Sequence, residues 1–226
     1  MVGLADAIFE RLIPAYEGAR DSERAAGQAA YMRERFPFLG LTSTGRRILD
    51  RAVLAGLPRP AESDLGAVAD RAWARDEREY QYFACDYLRT HAEVPAPEFL
   101  DAVRGLLITK SWWDTVDPLA TRVVGILVQR HPQLTATMDA WAQDDDVWLV
   151  RTAILHQLHY GTGTDTRRLF GYCTRQAGHR DFFVRKAIGW ALRQYARTDP
   201  SAVRQYIDGH RDELSPLSVR EAAKHL

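Results

Sequence analysis

Cysteine is scarce. Cys85 and Cys173 are the only two in 226 residues, far apart and without metal-type spacing. That excludes a disulfide framework or a cysteine-based zinc site, and it makes a reduced, cytoplasmic setting the expectation. Lysine is scarcer than usual, with Lys110, Lys186 and Lys224 the only three among 30 basic residues. Neither charge sign is in excess: 30 acidic residues match the 30 basic ones, and the isoelectric point is near 7.1. The strongly basic balance of many nucleic-acid binders is therefore missing. No apolar run approaches the roughly 20 residues that a membrane-spanning helix needs. The first ten residues have neither the basic nor the apolar region of a signal peptide, so no export and no membrane anchor are expected. Phosphate-cradling glycine loops, a Gly-x-Ser-x-Gly elbow and a dinucleotide fingerprint are all absent, and Gly161-Thr-Gly-Thr164 reads as a turn. Runs of alternating β-branched residues are also missing, which leaves little basis for strands.

Helical periodicity fills the space that strands would have taken. Apolar residues recur at helical spacing in 4–16, 25–36, 45–55, 65–74, 80–90 and 97–108, and again in 119–130, 133–142, 148–159, 164–176, 182–197 and 200–209. The breaks between them are short: Phe-Pro-Phe-Leu-Gly at 36–40, Gly-Leu-Pro-Arg-Pro at 56–60, Val-Pro-Ala-Pro at 94–97, His-Pro at 131–132 and Asp-Pro at 199–200. Such gaps suit hairpins between antiparallel helices. With a mean hydropathy of −0.33 and no linker or low-complexity stretch, a single globular domain over 1–226 is expected.

The chain also repeats itself. Val150-Arg151-Thr-Ala returns as Val184-Arg185-Lys-Ala and as Val219-Arg220-Glu-Ala, at intervals of 34 and 35 residues. The first two copies follow an acid and an aromatic, Asp146-Val-Trp148 and Asp181-Phe-Phe183. A helical unit at this period predicts an all-α fold, a right-handed α-solenoid of about six HEAT-like helical pairs with a concave face suited to a long ligand. The repeated arginines have two readings. They bridge to acids such as Asp144 to Asp146 or Asp181, or Arg151 faces a phosphate.

The most distinctive chemistry lies in Lys110-Ser-Trp-Trp-Asp-Thr-Val-Asp117. Large π-faces beside carboxylates attract a cation or stabilise one that forms during reaction. In a continuous helix Trp113 and Asp117 share a face at i, i+4, and Trp112 points toward the core. Two structural alternatives remain open: Ser111 as an N-cap with Asp114 in a capping box, and Asp117 as the cap of a new helix that begins at Pro118. Trp190 sits beside Gly189, which leaves room for close backbone approach. The histidine pair His156/His159 lacks the His-Glu-x-x-His pattern, and no metal site is expected from it.

The segment 110–117 resembles the signature of AlkD-type DNA alkylation repair glycosylases, which are HEAT-like repeat proteins. Residues 31–40, 151–158, 182–200 and 214–226 are similar to that family as well, so the resemblance runs along nearly the whole chain. It implies hydrolysis of the N-glycosidic bond of cationic N3- or N7-alkylated purines in duplex DNA, without strand cleavage and without flipping the base into a pocket. Asp117 would be the catalytic carboxylate, and Trp113 and Trp190 the aromatic pair flanking the lesion's sugar. Arg151, Tyr31 and Lys110 would contact the DNA. The implied protein needs no metal and no cofactor, works as a monomer on duplex DNA containing alkylated purines, and resides with the bacterial nucleoid. Pro118 departs from the pattern. The competing reading is a non-catalytic solenoid that binds damaged or branched DNA, or a protein partner.

Overall fold

A computed structural model describes residues 3–226, so the first two residues of the segment read for a signal peptide lie outside it. Among the described residues every regular element is helical. The all-α class of paired helical repeats, the α-solenoid class, is the observed one. The chain divides into two compact units, Met1–Pro95 and Ala96–Leu226.

The first unit contains α1 (Leu4–Gly18), α2 (Ser22–Tyr31), α3 (Ser43–Leu54), α4 (Glu62–Ala74) and α5 (Arg78–Thr90). Its core is the apolar stripe of α1, with Ile8, Phe9, Leu12 and Tyr16, packed with Leu65, Val68 and Ala72 of α4 and Tyr80 and Phe83 of α5. Burying such side chains stabilises by about 1.5–3 kcal/mol each. The break at 36–40 is a loop tied to a buried acid. The Glu79 carboxylate accepts the backbone N–H groups of Leu39, Gly40 and Leu41 at 2.9, 2.8 and 3.1 Å. Helical periodicity over 25–36 overruns the real end of α2 because Arg33 and Glu34 adopt left-handed φ of 58° and 55° and stop the helix.

The second unit contains α6 (Phe99–Ile108), α7 (Trp113–Pro118), a π-helical turn (Leu119–Val124), α8 (Gly125–Arg130), α9 (Thr135–Trp141), α10 (Val147–Leu155), α11 (Thr166–Arg175), α12 (Phe182–Tyr195), α13 (Pro200–Gly209) and α14 (Pro216–Ala222). The three Val-Arg-x-Ala copies lie on α10, α12 and α14, and these helices pack in series, α10 on α12 and α12 on α14. The acids before the first two copies are N-caps. Asp146 Oδ1 accepts from the N–H of Trp148 at 2.8 Å, and Asp181 Oδ1 from that of Phe183 at 2.7 Å. Each such cap is worth about 1 kcal/mol. Val150 and Val184 are buried in the interfaces. Gly189 has the packing role its position suggested: a Cβ there would lie 2.5 Å from Glu221 Cβ and 2.8 Å from the Ser218 carbonyl oxygen. The backbones of α12 and α14 can approach this closely only with glycine at 189.

Residues 113–130 form one unbroken helical run. Pro118 lies inside it, where an α-turn would set the ring against the carbonyl four residues earlier and forfeit one hydrogen bond. The next turn, Leu119–Val124, is π-helical. Gly125 follows, and a Cβ there would collide with the His156 carbonyl oxygen, so the run packs directly on the end of α10.

Candidate active site

Asp117 projects from the last turn of α7 and is held by a two-pronged contact. Arg151 of α10 donates from Nε to Oδ1 at 2.7 Å and from Nη2 to Oδ2 at 2.8 Å. Its other terminal nitrogen, Nη1, donates to the main-chain carbonyl of Phe183 in the first turn of α12 at 2.5 Å. One guanidinium therefore ties together three helices. The fork matches the planar geometry of a carboxylate, which a lysine cannot do.

This arrangement corrects three expectations. Asp117 does not cap a new helix at Pro118, because it lies within the continuous run and its carbonyl accepts the Thr121 hydroxyl at 2.8 Å. Ser111 is not the N-cap either. Trp112 holds that position with extended backbone, while Ser111 Oγ donates back to the Leu107 carbonyl at 2.7 Å. The acid partner of Arg151 is Asp117, rather than Asp144 to Asp146 or Asp181, two of which are occupied in capping.

The pair is shielded from water, with 6% of the Arg151 side chain and 14% of the Asp117 side chain exposed. Burial pushes the Asp117 carboxyl above its ordinary range, and the hydrogen bonds and charge of Arg151 pull it back. An arginine stays protonated in proteins. A neutral Asp117 would leave that cation buried alone, so at neutral pH the pair is an ion pair. The shield is aromatic. The rings of Trp112, Trp148 and Phe183 meet at centroid distances of 4.8 Å (Trp112–Phe183), 5.0 Å (Trp148–Phe183) and 5.8 Å (Trp112–Trp148). The Arg151 guanidinium carbon lies 5.9 Å from the Phe183 centroid. Trp112 is buried, as its position suggested.

Trp113 and Trp190 are only half-buried, so neither is lost to the core. Trp113 is one turn before Asp117 on the same helix. Trp190 is two turns after Phe183 on α12, and that i, i+7 spacing sets it on the helix face that meets Arg151. Lys110 sits in the turn before α7 with a left-handed φ of 50°. Tyr31 belongs to the first unit, at the end of α2, where 74% of its surface is exposed. The histidine pair does not converge. His156 is buried with Nδ1 2.7 Å from the Ala153 carbonyl, and burial depresses it to about 4. His159 lines a cavity beyond the end of α10. Among the described residues no group of three or more histidine, cysteine or acidic side chains could hold a metal ion.

The three-ring cluster was only partly legible. Its signal is the acid-x-aromatic pattern ahead of the first two repeats, and the rings it supplies, Trp148 and Phe183, close over Trp112.

A sequence profile of the DNA alkylation repair enzyme family matches residues 13–226. The chain belongs to that family. Its fold is similar to the solved structure of a predicted DNA alkylation repair enzyme from Enterococcus faecalis, at 30% identity and a TM-score of 0.84, over 92% of this chain and 96% of that one. No curated protein sequence matches this chain. For a DNA alkylation repair enzyme the relevant ligand is DNA. Among the described residues no helix is long and apolar enough to cross a membrane.

Proposed function

We propose that this DNA alkylation repair enzyme is a monofunctional glycosylase that hydrolyses the N-glycosidic bond of cationic N3- or N7-alkylated purines in duplex DNA. The observation that carries the reading is the clamped, largely desolvated Asp117 carboxylate, with Trp113 one turn before it on the same helix. An alkylated purine is already charged and leaves readily, so the reaction needs little acid catalysis. What it needs is stabilisation of the oxocarbenium-like sugar that remains. A carboxylate fixed in place before the reaction supplies that without reorganising, and its effect is strengthened where water is excluded.

In this reading Arg151 positions the carboxylate. Its fork holds both oxygens of Asp117 in one orientation, and the bond to Phe183 O holds the fork. A phosphate contact by Arg151 would have to compete with these bonds. Asp117 faces the developing cation and orients the attacking water. Trp113 and Trp190 present ring faces to the sugar and add cation–π attraction. Lys110 and Tyr31 contact the DNA strand. Selectivity then comes from the lability of the cationic base, and neutral lesions are poor substrates. The protein acts alone on duplex DNA and requires no cofactor.

The test is release of free base from duplex DNA carrying N7-methylguanine, with wild type compared with Asp117→Asn. Rapid release by wild type, lost in the variant while DNA binding persists, is the expected result. A wild-type rate no faster than spontaneous loss would overturn the assignment and leave a protein that only binds DNA.

A further inference from the structure

Asp117, Arg151 and Trp190 lie on α7, α10 and α12. A second row of helices is made by α9, α11 and α13. Arg168 of α11 donates from Nε to Asp139 Oδ1 of α9 at 3.1 Å, and Phe170 of α11 stacks on Tyr206 of α13 with ring centroids 4.7 Å apart. None of the candidate site residues belongs to this second row.

α11 buries Leu169, Tyr172 and Cys173. Its opposite face presents Arg167, Gly171 and Arg175, all exposed and each four residues from the next. With Asp139, Arg168 and Tyr172 they line an open hollow of about 330 Å³. Gly171 keeps its floor clear, since a Cβ there would meet nothing within 4 Å. The two outer arginines stand about 6 Å along the helix axis to either side of that glycine.

The charges of the hollow are only partly matched. Asp139 accepts from Arg168 through both oxygens and from the Tyr172 hydroxyl at 2.6 Å, and Arg168 also reaches Asp165 at 2.6 Å. Among the described residues, the side chains of Arg167 and Arg175 have no acidic partner. Three arginines against two acids leave positive charge in excess here, although the chain as a whole is neutral. A protein partner would need an apolar anchor seated in the centre of its interface. The lining of this hollow offers no place for one, being charged apart from Gly171 and a tyrosine whose hydroxyl is already bonded. Free guanidinium forks match a phosphate, which accepts two N–H bonds from each.

We propose that Arg167 and Arg175 form a second phosphate-binding site, which holds the backbone of a second DNA segment while the helices bearing Asp117 and Arg151 engage the first. A protein with two such faces passes from one segment to another without dissociating into solution. The site depends on DNA being the ligand and is independent of the chemistry at Asp117.

The test counts short undamaged duplexes bound per protein at low salt, by sedimentation velocity, for wild type and for the double variant Arg167→Gln/Arg175→Gln. Wild type should bind two duplexes and the variant one. Base release from a duplex carrying N7-methylguanine, in single turnover, should be the same in both. The weaker of the two wild-type binding steps should lose affinity with salt at a slope of about 0.9 per phosphate contact. Arg167→Lys/Arg175→Lys should restore the second duplex, which separates a loss of charge from a loss of shape. Because both arginines are exposed, the variants are expected to fold, and thermal melting checks it. Wild type saturating at one duplex, or the glutamine variant still binding two, overturns the second site. Two duplexes on a wild type that releases no base keep the second site and remove only the glycosylase reading.

Discussion

Replacing Arg151 tests whether the ion pair or the carboxylate alone does the chemistry. Arg151 makes two charge-assisted bonds to Asp117 and one to the Phe183 carbonyl. Arg151→Lys keeps the charge but offers a single ammonium head, which cannot bridge both carboxylate oxygens and also reach the carbonyl. Losing one charge-assisted bond costs about 1.5–3 kcal/mol, or roughly 10- to 100-fold if the carboxylate is needed in that orientation. Arg151→Gln removes the charge. If Asp117 stays ionised, one partner of a buried pair is gone, at a cost of about 3–5 kcal/mol. If it protonates instead, the penalty moves into the pH profile. The sign follows from the causes of the shift. Burial already raises Asp117, and Arg151 is what opposes it. Removing Arg151 therefore raises the carboxyl further. In the proposed mechanism activity requires the ionised form, so the acidic limb of the rate of base release is expected to move to higher pH in Arg151→Gln. Single-turnover base release across pH, together with urea denaturation, separates the two routes. A variant with unaltered stability and an unmoved acidic limb would refute the claim that Arg151 holds Asp117.

Two further predictions concern the α12–α14 interface. Gly189→Ala places a Cβ 2.5 Å from Glu221 Cβ and 2.8 Å from the Ser218 carbonyl, so the two helices must separate. Overpacking of this kind costs about 1–3 kcal/mol, read as a lower melting temperature. Glu221 accepts from Arg193 at 2.8 Å, Lys224 at 2.9 Å and Lys186 at 3.1 Å, and the Lys224 bond, ahead of the others, holds its carboxyl down at about 2. A depressed carboxyl stabilises above its ordinary value of 4.5, and that contribution is lost as pH falls toward about 2. Glu221→Gln should accordingly lower stability at neutral pH by on the order of 2 kcal/mol, with the gap to wild type closing by pH 2.

Much of the fold was legible because its signals are local. Each of the twelve periodic segments contains a helix, since an apolar stripe at helical spacing has to be buried against something. The 34- and 35-residue intervals located α10, α12 and α14, including α14, which its own periodicity is too short to announce. What escaped were terms that cancel at a distance. The stop in α2 comes from two left-handed residues that carry no glycine signal. The buried Glu79 that organises residues 39–41 looks, in sequence, like any acid at a helix start.

The site shows the same division more sharply. Trp113 and Asp117 were legible because their spacing fixes a shared face in any helix. The pairing of Asp117 with Arg151 was not, because it spans 34 residues, and several closer acids were equally plausible partners until the caps claimed them. Pro118 was the largest source of ambiguity. By local rules a proline begins a helix or breaks one, and both outcomes would have turned Asp117 into a structural residue. The chain takes neither course: the helix runs on through Pro118, and a π-helical turn follows it. Asp117 therefore stays inside a continuous helical run, facing Arg151. Converting Pro118 to alanine would restore the missing N–H. What orients Asp117 is the fork from Arg151, a contact across 34 residues that no local rule about proline could announce.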